Sequence, residues 1–274
     1  MQINKDHMLH LDLYVKSCVA ELYINGIPVR RMDSEEENFH SLVAHHLVQD
    51  GSNELEIVIS PGDTPANAKN AGSNRKINED AKACMQLVAY PVGAFAGDTE
   101  SGTVQMELNW ENDASSSAQI SAPHIERTSK DLGTLLGMPT WSKLSVIDLE
   151  KSTQEIATTI ADIHQAFENG NSQIICEYFK PQLSEAGRTL PEYGEENFRE
   201  DLAFDIEDNR GKDDWVVPLN TNEHDFRLCA DGKLIEIIDR NWEPTIRTKA
   251  DADGNVYPLP IFLGQNEGQW QVYL

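Results

Sequence analysis

The sequence predicts two domains, an all-β sandwich followed by an α+β domain whose helices pack on a curved antiparallel sheet, and three observations predict it. Over residues 9–59 apolar and polar residues alternate in short runs separated by Gly and Asn turns, the pattern of strands with one buried face. Between residues 148 and 169 the apolar spacing changes to three and four, which is helical. From Asp231 to Leu274 alternation returns, so the second half closes as antiparallel sheet.

In chain order, Leu9, Leu11, Leu13 and Val15 alternate with His10, Asp12 and Tyr14 as a first strand. Val19 to Ile24 is a second, and Asn25-Gly26, a pair that accepts positive φ, turns it into Ile27-Pro28-Val29. After the acidic loop Asp33 to Glu37 come Leu42 to Val48, a turn at Asp50-Gly51-Ser52-Asn53, and the alternating strand Glu54 to Ile59. Pro61 to Asp80 is rich in Gly, Asn, Ala and Ser and reads as a long mobile loop. Cys84 to Tyr90 and Thr103 to Trp110 complete the sandwich, with Met106, Leu108 and Trp110 on one face, so the first domain spans 1–110.

Residues 111–146 shift to Ser, Ala, Asn and Thr, including Ser115-Ser116-Ser117, Pro123 and Pro139, which is the composition of a linker and docking segment anchored by Trp141. The second domain is then 147–274. Leu149, Thr153, Ile156, Ile160, Ile163 and Phe167 share one face of a helix, with Ser152 and Glu155 as its capping box and Gly170 as its stop. Ser172 to Phe179 forms a second helix ended by Pro181, and Pro191 to Phe204 a third. Trp215 to Leu219 and Phe226 to Ala230 lead into Leu234 to Ile238, which leaves the tight turn Asp231-Gly232. Val256 to Leu263 carries Pro258 and Pro260 and suits a sheet edge, and Gln269 to Leu274 alternates with Trp270, Val272 and Leu274 inward.

Two resemblances attach to these residues. Glu21 to Val29 with its Asn25-Gly26 turn, followed by Leu47 to Ile59 with Gly51-Ser52-Asn53, resembles the galactose-binding-like jelly rolls that accompany many glycosidases. It rests on turn chemistry and implies a fold, with no binding residue carried over. Asp162 to Gly170 followed by Tyr178 to Pro181, with Gly268 to Val272 as closing strand, resembles the NTF2-like (cystatin-like α+β) superfamily. That resemblance implies an apolar cone on the sheet. In ketosteroid isomerase such a cone holds an Asp base and a Tyr/Asp oxyanion pair, neither of which aligns with a position in this chain.

Charge is the most unusual global property. The 274 residues hold 22 basic and 46 acidic side chains, a net charge of −24. Residues 147–274 hold 11 basic and 26 acidic residues, against 8 and 16 in 1–110. Such a surface repels nucleic acid and anionic membrane and attracts a basic protein. No apolar run approaches the ~20 residues of a membrane helix, and Met1 to His7 shows no basic region leading into an apolar core, so cytosol is the expected compartment. The four cysteines, Cys18, Cys84, Cys176 and Cys229, contain no CxxC pair and read as buried thiols, or as one disulfide per half in an exported protein.

Familiar catalytic and metal motifs do not complete themselves. Asp251-Ala252-Asp253-Gly254-Asn255 begins like a calcium loop, but Gly falls fourth and Phe262 stands where the bidentate Glu belongs. His40, His45 and His46 lack a Cys or carboxylate at ligand spacing. His164, on the apolar side of the long helix, is the one candidate general base, and a satisfied core histidine is its alternative reading. No metal site and no cofactor is expected.

The stretch 192–214 is more informative, with 10 acidic against 3 basic residues. Self-repulsion of that size costs stability that a basic partner would return. The candidate binding set is Glu195, Glu196, Glu200, Asp201, Asp205 and Asp208 with the aromatics Tyr193, Phe198 and Trp215, and a solvated helix face and loop is the alternative reading. The expectation is a non-enzymatic acidic module that masks a basic protein, as immunity proteins against toxins do. The alternatives are an NTF2-like small-molecule-binding or isomerase-type domain, and carbohydrate binding by the sandwich.

Overall fold

The computed structural model describes residues 7–34, 37–70, 77–98, 100–112, 123–134, 136–209, 215–220, 223–250, 256 and 258–274. The chain divides into two compact units, Met1–Pro139 and Thr140–Leu274. It is mostly antiparallel sheet, with the helices grouped in the middle of the sequence.

The N-terminal unit contains β1 (His7–Lys16), β2 (Cys18–Ile24), β3 (Ile27–Ser34), β4 (Asn38–Val43), β5 (Ser52–Ile59), β6 (Lys82–Pro91), β7 (Thr103–Glu111) and β8 (His124–Asp131). They form two four-stranded sheets, ordered β4-β1-β6-β7 and β3-β2-β5-β8, which pack on each other. The inward sets are those that alternation selects. Leu9, Leu11, Leu13 and Val15 of β1 are fully buried, as are Leu22 and Ile24 of β2 and Leu55, Ile57 and Ile59 of β5.

Turn chemistry holds the unit at one end. Asn25 (φ 50°) and Gly26 (φ 72°) make the β2–β3 hairpin turn, the left-handed pair that matches strand twist. Asn25 Nδ2 donates to Asn53 Oδ1 at 2.9 Å, and the buried Asn53 also accepts from the Gln49 backbone at 3.0 Å and donates to the Gln49 carbonyl at 2.8 Å. Asn53→Ala orphans these half-buried groups, so unfolding in urea is expected to show a loss of about 2 kcal/mol. A loss below about 0.5 kcal/mol would show that water replaces the amide.

Three features differ from the sequence expectation. The expected linker 111–146 contains β8, which pairs with the whole of β5 from Ser52↔Asp131 to Ile59↔His124. β8 is a polar edge strand whose hydrogen bonds run through backbone, so it has no apolar alternation to reveal it. Leu42 to Val48 is strand only to Val43, where β4 ends. The 61–80 stretch is packed where it is described before residue 71: Ala68 is buried, and Lys69 pairs with the buried Glu56 and lies 3.9 Å from the Tyr23 ring centroid.

The C-terminal unit contains α1 (Leu149–Glu168), α2 (Ser172–Tyr178), α3 (Lys180–Thr189) and α4 (Glu195–Asn209), then β9 (His224–Cys229), β10 (Leu234–Asp239), β11 (Ile246–Arg247), β12 (Pro258–Leu259), β13 (Ile261–Asn266) and β14 (Gln269–Val272). The main sheet is ordered β14-β13-β10-β9, and β11 pairs with β12 as a separate ribbon. Ile156, Ile160, Ile163 and Phe167 of α1 share one core with Ile235, Ile237, Ile261, Leu263, Trp270 and Val272 of the sheet. One sheet face is therefore filled by helix side chains. On the other face a Cβ at Gly264 would stand 2.9 Å from Tyr273 and even closer to Leu144, so only glycine fits there.

Helix boundaries also shift. α1 is capped by Asp148, whose carboxylate accepts from Lys151 N at 3.4 Å, and not by Ser152 with Glu155. Glu155 instead accepts from the Trp270 indole at 2.9 Å. α2 stops at Tyr178, before Pro181 as expected, but Pro181 then sits in the first turn of a further helix, α3, where a missing N–H costs nothing. β13 is central, with Pro258 displaced into the β12 ribbon. The turn at Asp251–Asn255 lies outside the described residues.

Candidate functional site

The acidic stretch resolves into α4 and the turn that enters it. Leu190 O accepts from both Tyr193 N and Gly194 N, and Gly194 takes φ 85°, which lets the chain reverse into the helix. α3 and α4 approach closely at that point: a Cβ on Gly187 would stand 2.5 Å from Glu195 N. Within α4, Ile206 is buried in the core and Phe198 and Leu202 pack against it, an apolar stripe at spacing four.

The rest of the helix surface is mostly charge. Glu195, Glu196, Glu200, Asp201, Asp205 and Asp208 are all exposed. Phe204, 69% exposed, lies among them, and Tyr193, 42% exposed, flanks the helix start. The Tyr193 hydroxyl donates to Asp201, which makes the phenol harder to ionise, and its ring meets Phe198 edge-on at 4.7 Å. Arg199 is the helix's single cation, and it pairs with Glu196 at 2.6 Å.

The arrangement is electrostatically costly. Glu196–Glu200 and Asp201–Asp205 are like-charge pairs one turn apart, and Glu207 and Asp208 crowd the negative end of the helix dipole. Nothing in the inward stripe requires those acids. They create a field that a cationic surface would relieve.

Two of the predicted aromatics are placed elsewhere. Phe198 packs inward, and Trp215 is half-buried, with its indole donating to Phe167 O at 3.1 Å and its ring edge-to-face with Phe167 at 6.0 Å. The structure thus brings together the six carboxylates with Tyr193 and Phe204.

His164 is 4% exposed, and its Nε2 donates to the Val217 carbonyl at 2.7 Å. That bond leaves Nδ1 as the ring's other site, 3.7 Å from Glu168. The histidine ties α1 to the 215–220 segment. Of the histidine cluster, His45 is buried and accepts from Leu9 N at 3.1 Å. Among the described residues no group of three His, Cys, Asp or Glu side chains is placed to hold a metal ion.

One polar cluster was not legible in the sequence. On the outer face of the β4-β1-β6-β7 sheet the buried Asp12 accepts from Ser41 Oγ at 2.6 Å and from the Tyr90 hydroxyl at 2.5 Å, while His10 Nδ1 lies 3.1 Å from Ser41 Oγ. The Tyr90 hydroxyl is pushed up to about 12 by burial and by Asp12, and burial lowers His10. Ser41 gives its proton to Asp12 and not to the imidazole, so the geometry locks strands together and does not activate a nucleophile. His10 and Asp12 stand at the polar positions of an alternating strand, which read as a solvated face.

The four cysteines are free thiols, and burial pushes Cys18 and Cys84 up to about 11, far from nucleophilic poise. No described helix is long and apolar enough to cross a membrane. No family model, curated protein or solved structure matches the chain.

Proposed function

We propose that the protein is a non-catalytic acidic binding module that presents α4 to a basic protein, in the manner of an immunity protein that neutralises a toxin or effector. The observation that carries the reading is the placement of six exposed carboxylates on one helix with the exposed Phe204, beside the exposed Tyr193 at its start. An acidic field with an aromatic anchor is the complement of a basic patch that itself holds apolar side chains.

The fold assignments belong to the same proposal. Two packed antiparallel sheets with the Asn25-Gly26 hairpin support a galactose-binding-like scaffold for the N-terminal unit. Helices followed by a four-stranded antiparallel sheet support an NTF2-like C-terminal unit. Its inner sheet face packs on α1, which favours the binding-module reading over a ligand cone. Cytosol is the compartment that suits four free thiols.

The test is retention of a purified basic protein on the immobilised protein as salt is raised. Retention is expected at low ionic strength and lost towards about 1 M salt, where the Debye length falls to about 3 Å. Retention that ignores salt would contradict an electrostatic interface.

A further inference from the structure

Beyond α4, the C-terminal unit carries an open groove along α1. One hollow lies at the start of α2, bounded by Asn171, Gln173 and the α4 residue Glu207. A central hollow of about 680 Å³ follows, lined by Thr159, Ile174, Glu177 and Trp270. The third lies against Glu155, Thr158 and the β13–β14 turn at Gly268. Asn171 and Gln173 are common to the first two hollows, and Thr159 and Trp270 to the last two, so the three adjoin. From Gln154 to Asn169 the helix rises about 22 Å, the reach of about seven residues of extended chain.

The walls have one chemical character. They hold three carboxylates, Glu155, Glu177 and Glu207, and the carboxamides of several Gln and Asn side chains, and the described lining residues include no Lys, Arg or His. The carboxylates are positioned at both ends of the groove. Trp270 Nε1 donates to Glu155 Oε2 at 2.9 Å, and Ser172 Oγ donates to Glu207 at 2.7 Å. Ile174, 44% exposed, supplies an apolar contact in the central hollow.

We propose that this groove takes an extended, arginine- or lysine-bearing segment of the basic partner, an inference that rests on the acidic-binding reading above. Three carboxylates would repel an anion, and a neutral apolar ligand would desolvate them without a counterion. A guanidinium or ammonium at each carboxylate removes that cost. The carboxamides between them both donate and accept, which suits the alternating N–H and C=O groups of an extended backbone. Glu207 belongs to α4 and to the groove together, so the acidic helix leads a basic chain into it.

The experiment titrates the full chain calorimetrically, at low ionic strength, with a short synthetic peptide in which arginine alternates with serine, beside the basic partner protein itself. Three proteins are compared: wild type, the groove variant Glu155→Gln/Glu177→Gln, and the α4 variant Glu200→Gln/Asp201→Asn/Asp205→Asn/Asp208→Asn. All of these side chains are exposed, so overlaid thermal melts of wild type and groove variant confirm folding. The groove variant is expected to bind the peptide about ten-fold more weakly, and the α4 variant less than about three-fold more weakly, through its long-range field alone. Peptide binding lost only in the α4 variant, or absent while the partner is still captured, overturns the groove and leaves the acidic module standing. Failure of wild type to bind either probe overturns both.

Discussion

Replacing Glu236 by alanine is expected to lower the stability of the C-terminal unit by about 3–5 kcal/mol. Glu236 on β10 stands in register with Arg227 on β9, on the sheet face opposite α1, and each is 8% exposed. Arg227 Nε donates to Glu236 Oε2 at 2.6 Å, and the guanidinium also lies 5.5 Å from the Trp242 ring. Removing the carboxylate takes the Glu236 bond away from a buried arginine, and that penalty exceeds what the pair itself contributes. A fall in Tm on the order of 10 °C follows for a unit of this size. The double substitution Arg227→Leu/Glu236→Leu removes both charges and is expected to recover most of the loss. Scanning calorimetry checks both. A single variant that melts within about 2 °C of wild type would show that solvent reaches the pair and screens it.

The α4 variant defined above is expected to lose capture of the basic partner on the order of 100-fold, since four exposed carboxylates each contribute modestly and act together. The same variant is expected to melt a few degrees higher than wild type. It removes the Asp201–Asp205 and Glu196–Glu200 repulsions and withdraws Asp208 from the negative end of the dipole. The opposed signs are the informative result: binding falls as stability rises. Loss of capture together with loss of stability would instead mark these acids as part of the fold, and unchanged capture would remove α4 from the interface.

Elements with an apolar period were legible in the sequence. β1, β2, β5, β6 and β7 and the whole of α1 follow from alternation or from spacing of three and four, because one buried face imposes its period on the residues that occupy it. Local turn chemistry was legible as well: Asn25-Gly26 and Asp231-Gly232 adopt positive φ as such pairs do. The acidity of α4 could be read directly, because charge is additive along the chain whatever the fold.

What no period encodes was decided by tertiary structure. β8 is held by backbone bonds to β5, which any side chain permits. Asp148 and not Ser152 caps α1 because the helix starts a turn earlier, and Glu155 is thereby released to accept from Trp270, 115 residues away. Phe198 and Trp215 look like Phe204 in a sequence, yet only packing against α1, α2 and the sheet separates an aromatic spent on the core from one left at the surface. The chain alone thus determined its strand and helix periods, its turns and its negative charge, all properties of neighbours along the backbone. The contents of the core, the partners of the buried charges, and the groove that joins α1, α2, α4 and β14 depend on residues distant in sequence, and only the folded chain brings them within reach.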